Sequence, residues 1–208
     1  MLQYRNMQKE IEATFLSINK ELIREKLENN GFKLKYPEYL MRRKTFDFPN
    51  KTPGINKWGR VRQEFNKVTM TIKEIRGTGI NDVFESEIIV NDFDKATEFF
   101  EVCGVFVKAF QENMREVWTN STVEVTIDTW PGLKPFIEIE GQTEEIVRNI
   151  SEKLNFDFKE AVFGSIDLVY EKELGISAKE IISLPEITFK NPPKSKYKQG
   201  VKIDALLF

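Results

Sequence analysis

The sequence predicts an α+β protein in which a mostly antiparallel sheet closes into a barrel, with charged side chains inside and helices packed outside. Ionisable residues recur at every second position in most of the predicted strands, and the positions between them are apolar or small. Because successive side chains of a strand point to opposite faces, each strand has one charged and one apolar face. An open sheet with its polar face in water would explain any single strand. A closed barrel better explains the whole set, since several amphipathic helices are available to cover the apolar faces.

The strands follow from this alternation, and the turns between them from glycine, proline and asparagine. The strand segments, counted as eight or nine strands in all, are residues 10–16, 32–34, 39–48, 58–64, 68–76, 83–90, 106–111, 114–119, 123–129 and 135–140. The segments 32–34 and 39–48 are predicted to meet near Pro37. Two prolines and a glycine predict a loop over 49–57.

Four helical regions lie between groups of strands instead of alternating with them, which is typical of an α+β arrangement. Asn, Asp or Thr before a helix accepts hydrogen bonds from its first turn, and glycine ends a helix in the left-handed conformation. The predicted helices are one begun by Asn19 and ended by Gly31, one begun by Asp92 and ended by Gly104, one begun by Thr143 and running to Leu154, and one or two shorter ones over 161–174 ended by Gly175.

The chain is predicted to divide into a barrel domain with its helices at 1–175 and a C-terminal tail at 176–208. The tail contains three prolines and a lysine cluster and ends in an apolar segment. This composition predicts an extended cover strand or a partly ordered arm.

Composition excludes several classes of function. The 31 basic and 33 acidic residues give a net charge of −2, which does not indicate binding to nucleic acid or to an anionic membrane. The sequence has no histidine, so catalysis by histidine and zinc sites that need imidazole are excluded. A metal would have to take oxygen ligands, which suits Mg²⁺, Mn²⁺ or Ca²⁺.

The single cysteine, Cys103, excludes an internal disulfide and is predicted to be a small buried residue. Four phenylalanines, at positions 99, 100, 106 and 110, are predicted to pack in the core. Trp58 and Trp130 are expected to pack as well, with base stacking left open. No signal peptide or stretch of about twenty apolar residues is apparent, which predicts a cytoplasmic soluble protein.

The charged faces also point to a ligand. Three pairs of glutamates, Glu10/Glu12, Glu85/Glu87 and Glu138/Glu140, could not share a confined space without cations. The balancing cations would be Arg60, Arg62, Lys73 and Arg115, joined by one of Arg42-Arg43-Lys44. Arginine matches phosphate oxygens bidentately, and carboxylates hold a divalent metal. The set therefore fits a metal-bound triphosphate, although a network of internal salt bridges without a ligand remains the alternative.

Six short motifs occur in order over residues 9–172, each on a predicted strand. They are Glu10-Ile11-Glu12, Arg60-Val61-Arg62, Thr71-Ile72-Lys73, Glu85-Ser86-Glu87, Arg115-Glu116-Val117-Trp118, and Asp128 followed by Pro131-Gly132-Leu133 and Phe136-Ile137-Glu138-Ile139-Glu140. Together they resemble the signature of the CYTH superfamily, the triphosphate tunnel metalloenzymes. That superfamily includes class IV adenylyl cyclases, thiamine triphosphatases and inorganic triphosphatases.

The resemblance implies an eight-stranded antiparallel barrel whose tunnel binds a triphosphate and a divalent metal, Mg²⁺ or Mn²⁺. Carried over by position, the first metal ligands would be Glu10, Glu12 and Glu140, with Glu85, Glu87 and Glu138 as further ligands or partners of metal-bound water. Arg60, Arg62, Lys73 and Arg115 would bind substrate. Glu12, Lys73 and Glu140 would be catalytic, and Asp128 would orient an arginine.

Two positions depart from the family pattern. Thr14 and Asn113 stand where the family has lysines, and each change removes a positive charge from the presumed phosphate path. Lys9, Lys44 or Lys108 could supply the missing charge. Otherwise the site would bind a less charged ligand or be catalytically impaired.

The function expected from this resemblance is metal-dependent triphosphate hydrolysis, or conversion of ATP to cyclic AMP and pyrophosphate. The alternative is a protein that binds a triphosphate or polyphosphate without turning it over. The expected ligands are ATP, thiamine triphosphate or tripolyphosphate, and a homodimer is left open.

Overall fold

The computed structural model of the protein describes residues 7–50 and 52–197. Its strands are β1 (Gln8–Glu10), β2 (Glu12–Phe15), β3 (Lys33–Asp47), β4 (Asn56–Gln63), β5 (Val68–Ile75), β6 (Val83–Val90), β7 (Val107–Thr119), β8 (Val123–Thr129), β9 (Phe136–Gly141) and β10 (Glu186–Ile187). Its helices are α1 (Lys20–Asn29), α2 (Phe93–Val102), α3 (Glu144–Lys153), α4 (Ile166–Leu174) and α5 (Ala178–Ser183), with a 3₁₀ turn at Phe158–Glu160.

The sheet forms a nearly closed antiparallel barrel with the helices outside, as the sequence predicted. The strand order around the barrel is β1-β6-β5-β4-β3-β7-β8-β9-β2, and β10 pairs in parallel with β7 outside this path. Nine strands therefore form the barrel where eight were predicted. The difference arises at Ile11, where the first predicted strand divides into β1 and β2.

The break at Ile11 brings the two ends of the sheet together. β1 pairs with β6 and β2 pairs with β9, so consecutive residues of one chain segment join opposite edges of the sheet. The carbonyl of Ile11 accepts a hydrogen bond from the amide of Gly141 (3.1 Å), which holds the break against β9. Glu10 and Glu12 thus lie on opposite sides of the barrel seam.

Two other predicted breaks do not occur. β3 runs continuously through Pro37, because shifts of register between Leu34 and Tyr36 and between Tyr36 and Tyr39 accommodate a residue that cannot donate to the ladder. β7 likewise runs through the gap predicted at 112–113, and its side chains keep their alternation. β4 begins at Asn56, inside the predicted loop.

Apolar residues on the outer face of the barrel pack under the helices. Ile11, Ala13 and Phe15 alternate with Glu10, Glu12 and Thr14 and enter the largest core cluster, together with Ile23 and Leu27 of α1. A second cluster lies under α2 and includes Phe46 and Phe100. A third joins Trp130 and Phe136 to α4, α5 and β10. The charged residues that alternate with apolar ones on β2, β4 and β9 line the interior of the barrel.

Three residues predicted to be buried are exposed. α2 packs on the barrel through Phe93, Ala96, Thr97 and Phe100, whereas Phe99 is 61% exposed on another side of the helix. Cys103 is the C-terminal cap of that helix and is exposed where the chain turns away. Phe106 is 69% exposed in the connection that follows.

The segment after Gly175 packs on the barrel through α5 and β10. The side chains of Ile181 and Ile187 are fully buried or nearly so, and the amide of Phe110 donates to the carbonyl of Pro185 (3.0 Å). Residues 198–208, which include Lys198 and the apolar end of the predicted tail, lie outside the described residues. In the part of the chain that the structure describes, no helix is both long enough and apolar enough to cross a membrane.

An ion pair ties α1 to the outer face of the barrel. Glu116 on β7 is 3% exposed and accepts hydrogen bonds from Arg24 (Nε, 3.1 Å) and from the indole of Trp118 (2.6 Å).

Arg24→Ala would leave this buried carboxylate short of a partner, so we expect the free energy of unfolding to fall by about 1–3 kcal/mol. Urea denaturation measures this. Lys95→Ala removes an exposed ion pair with Glu98 (2.7 Å) and should leave the free energy of unfolding almost unchanged. Equal losses of stability in the two variants would contradict the stabilising role of the ion pair between Arg24 and Glu116.

Candidate functional site

The inner faces of the barrel strands enclose a cavity of about 460 Å³ lined mainly by charged side chains. All ten residues predicted to bind metal or substrate line it, namely Glu10, Glu12, Arg60, Arg62, Lys73, Glu85, Glu87, Arg115, Glu138 and Glu140. They come from seven strands. They meet because alternate side chains of each strand point into the barrel, and each of these residues is at such a position.

Three carboxylates at the barrel seam form a cluster suited to a metal. The carboxylate groups of Glu10, Glu12 and Glu140 each offer an oxygen, and these oxygens lie within 4.8 Å of one another. Glu12 is directly opposite Glu140 in the β2–β9 pairing, and the break at Ile11 brings Glu10 beside them from β1. Lys73 from β5 contacts Glu10 directly and lies 4.0 Å from Glu12.

The cluster holds more negative charge than its single lysine balances. Burial, followed by repulsion from Glu10, raises the pKa of Glu12 well above its ordinary value. Burial, followed by repulsion from Glu10 and Glu85, raises the pKa of Glu140 to about 7. Glu140 lines the cavity and is also exposed to solvent.

Glu85 extends the cluster along β6. Its pKa is raised by burial and by the neighbouring Glu10. Among the described residues, its Oε2 atom has no hydrogen-bond partner although it is buried. A buried carboxylate oxygen without a partner is the type of ligand that a cation satisfies.

The close approach of these carboxylates predicts that the stability of the metal-free protein depends on pH. An unfolded chain releases the Glu140 proton near the ordinary pKa of 4.5, whereas the folded protein keeps it until about pH 7. The folded state therefore binds more protons in this window, and the free energy of unfolding should fall as the pH rises from 4.5 to 7.

Urea denaturation in EDTA at pH 5 and pH 8 measures the effect. Glu140→Gln cannot titrate and should lose much of the pH dependence. Identical pH profiles for the parent and this variant would contradict the interpretation.

Buried arginines also line the cavity. Arg62 hydrogen-bonds Glu64 (Nε to Oε1, 3.0 Å) and lies 3.6 Å from Glu87. Arg60 lies 3.7 Å from the same Glu87 oxygen. Burial and the charge of Arg62 lower the pKa of the Arg60 guanidinium. In the described part of the chain, the buried Nε of Arg60 has no hydrogen-bond partner.

Arg115 is fixed by two carboxylates. Its guanidinium bonds both oxygens of Asp128, which is completely buried behind it, and reaches Glu138 at 2.6 Å. Although burial alone would lower the pKa of Arg115, Asp128 and Glu138 raise it well above its ordinary value. Asp128 thus orients an arginine, which is the role that the family resemblance implied for it.

Arg43 is the inward-facing member of Arg42-Arg43-Lys44. It lines the cavity, whereas Arg42 is exposed and bonds Gln63, and Lys44 pairs with Asp94 on α2. The side chain of Arg43 donates to the amide oxygen of Asn113 and lies over the ring of Trp130, 4.5 Å from its centroid. Alternation on β3 could have identified this residue, because it shares a face with Tyr39 and Thr45.

The two departures from the family pattern also lie in the inner layer. Asn113 is completely buried and links Arg43 to Asp128 through its amide, which donates to Asp128 at 3.0 Å. Thr14 is opposite Glu138 in the β2–β9 pairing. Of the three lysines considered as substitutes, Lys108 lines the cavity and pairs with Asp47 (2.9 Å), Lys9 is exposed, and Lys44 is turned toward α2.

Solved structures share this barrel architecture. No family model and no curated protein matches the sequence. The chain is similar to the PH1012 protein of Pyrococcus horikoshii OT3, with 24% identity and a TM-score of 0.60 over 73% of this chain and 93% of that chain. It is also similar to a candidate adenylate cyclase from Vibrio parahaemolyticus, with 15% identity and a TM-score of 0.65 over 80% and 99% of the two chains.

A third similar structure is the candidate adenylyl cyclase HpAC1 from Hippeastrum, which has a dominant triphosphatase activity. It shares 14% identity and a TM-score of 0.50 over 78% of this chain and 95% of that chain. At these identities the likeness establishes the fold. The barrel fold that the resemblance implied is therefore confirmed.

Proposed function

We propose that this protein is a divalent-metal-dependent triphosphatase that holds a triphosphate-bearing substrate in the barrel cavity. The observation that carries the proposal is the division of one cavity into a carboxylate cluster and a wall of buried arginines. The cluster suits a metal and the arginines suit phosphate oxygens. The internal salt-bridge alternative is weaker, because Glu85, Arg60 and Arg43 keep buried atoms without partners among the described residues.

The carboxylate cluster fits Mg²⁺ or Mn²⁺. Glu10, Glu12 and Glu140 would hold the ion, with Glu85 close to the cluster, and all of these donors are carboxylate oxygens. When bound, such an ion would supply positive charge that stabilises negative charge on the phosphate. Lys73, which lies between Glu10 and Glu12, would hold their orientation and present its remaining donors to the substrate.

The arginines would position the substrate and stabilise its charge. Arg60, Arg62 and Arg115 are fixed in a buried site, so their donors need no reorganisation as charge develops on the phosphate oxygens. In hydrolysis, water attacks the terminal phosphorus and diphosphate leaves. Catalysis of phosphoryl transfer depends mainly on such positioning and electrostatic stabilisation.

Adenylyl cyclase activity is the second candidate. In that reaction the ribose 3′-hydroxyl of ATP attacks the α-phosphorus and pyrophosphate leaves. Tyr36 and Tyr39 line the cavity, and Phe65 stacks on Tyr36 with a centroid distance of 4.9 Å, so aromatic surface is available to a base. The similar structures support both candidates, since one is a candidate adenylate cyclase and another has a dominant triphosphatase activity.

Thermal unfolding with added ligands tests whether the cavity is a binding site. A ligand that binds only the folded state must raise the melting temperature. We expect tripolyphosphate with Mg²⁺ to raise it more than sulfate with Mg²⁺ at equal ionic strength. If tripolyphosphate, ATP and thiamine triphosphate all leave the melting temperature unchanged with and without Mg²⁺, the proposal is wrong and the charged interior is structural.

A further inference from the structure

The strand β6 has an open edge over its second half. On one side β5 pairs with it along its whole length, from Val83 to Val90. On the other side β1 pairs only with the stretch from Val83 to Glu85, and in the described part of the chain no strand pairs with residues 86–90 there. The backbone groups that face outward on such an edge are a template for a further strand.

The same stretch exposes large apolar side chains. Ile88 is 58% exposed and Ile89 is 71% exposed. The run Ser86-Glu87-Ile88-Ile89-Val90 contains neither proline nor lysine, the residues that commonly keep an exposed edge from pairing. Its three β-branched residues favour the extended conformation. This edge is therefore suited to pairing with another strand.

The chain enters β1 along this edge. Gln8 lies opposite Glu85, and because the pairing is antiparallel, the residues before Gln8 run toward the open part of β6. Met7 keeps the alternation of β1. Its sulfur accepts from Nη2 of Arg76 (3.9 Å), whose guanidinium lies 4.1 Å from the ring centroid of Phe84 on the outer face.

We propose that residues 3–7 continue β1 along the open edge of β6, so that the N-terminal segment completes the wall of the barrel. Residues 1–6 lie outside the described residues, and they supply the positions needed beyond Met7. Extending the observed register places Met7, Asn6, Arg5, Tyr4 and Gln3 in turn opposite Ser86, Glu87, Ile88, Ile89 and Val90. The pairing does not depend on the proposed function.

This pairing would add two side chains to the inner face of the barrel. Glu87 lines the cavity, and Asn6 opposite it would lie on the same face. Tyr4 would cover Ile89, and an aromatic side chain opposite a β-branched one stabilises a sheet. The barrel wall beside Glu87 would then be complete.

A second copy of the chain is the competing occupant of this edge. The N-terminal segment is favoured because it is attached to β1 beside the edge, and a partner joined by a short link has an effective concentration in the millimolar range. A strand from another molecule would also have to displace the residues that follow from the position of Met7.

Disulfide formation between Arg5→Cys and Ile88→Cys, in a Cys103→Ser background, tests the register. Directly opposite residues have Cα atoms about 4.5–5.5 Å apart, which suits a disulfide. The matched control pairs Arg5→Cys with Ser86→Cys on the same outer face, at a diagonal distance of about 7–8 Å. In glutathione buffer we expect at least about fivefold more intramolecular disulfide in the first pair, measured by mass spectrometry of the full chain.

Amide hydrogen exchange of the unmodified full chain gives an independent readout. Alternate amides of an edge strand point away from its neighbour and exchange freely, whereas pairing on both sides protects them all. We expect every amide of residues 87–89 to exchange at least about 100-fold more slowly than in an unfolded peptide. Alternating fast and slow exchange along these residues would contradict the pairing.

The outcomes of the disulfide experiment separate the two occupants. Equal yields in the two double variants would refute the pairing, because a segment without a fixed register reaches both positions. Disulfide-linked dimers in place of the intramolecular product would likewise overturn it and would identify a second copy on the edge. If the cysteine variants do not fold, hydrogen exchange of the parent decides the question.

Discussion

Glu140→Gln is expected to reduce metal-dependent turnover more than about 100-fold while leaving the fold intact. Replacing even an outer partner of a metal ligand costs about 10- to 100-fold, and Glu140 supplies one of three clustered oxygens directly. The same change removes a carboxyl whose pKa is raised to about 7 by burial and by Glu10. The ligand-free variant should therefore be at least as stable as the parent at pH 8.

Phosphate release and urea denaturation on one preparation measure the two effects together. Glu145→Gln removes the same charge from the exposed surface of α3 and serves as the control. Loss of activity together with loss of stability would mean that Glu140 acts through the fold and not through a metal.

Arg60→Gln and Arg115→Gln are expected to differ in their effects on stability. Arg60 has an unpartnered buried Nε within the described structure, so its removal should weaken tripolyphosphate binding at least about tenfold and leave stability unchanged or higher. Arg115 neutralises Asp128, which is completely buried. Among the described residues, its removal leaves that carboxylate with the side-chain amide of Asn113 as its one side-chain donor, and we expect stability to fall by about 3–5 kcal/mol.

Denaturation and calorimetric titration of both variants distinguish these roles. If Arg60→Gln proves the less stable of the two, the division between anion-binding and structural arginines is wrong.

The residues that line the cavity were predictable because the strand repeat of two fixes the face of each side chain. Glu10 and Glu12, Arg60 and Arg62, and Glu138 and Glu140 all lie where alternation places them. Their order in the chain then allowed the resemblance to a tunnel barrel.

Contacts across strands were less predictable because they depend on register, which alternation does not specify. Nothing in the local sequence indicates that Asn113 accepts from Arg43, since the two residues are 70 positions apart. The break at Ile11 was missed because both halves of the segment are extended, and only their partners differ. Pro37 suggested a strand end, but irregular register allows β3 to continue.

The exposure of Cys103 and Phe99 depends on which face of α2 meets the barrel. That helix has apolar residues on more than one side, and its sequence does not show that Ala96 and Phe100 are the ones in contact.

The central claim is that the cavity converts a triphosphate in a metal-dependent reaction. The most direct test is product analysis with tripolyphosphate, ATP and thiamine triphosphate in turn, each with Mg²⁺, with Mn²⁺ and with EDTA. We predict orthophosphate from at least one substrate, only with metal, and not from Glu140→Gln. Cyclic AMP with pyrophosphate would instead establish the cyclase. Absence of any product, despite a rise in melting temperature with tripolyphosphate, would contradict the claim and identify a barrel that binds a triphosphate without turning it over.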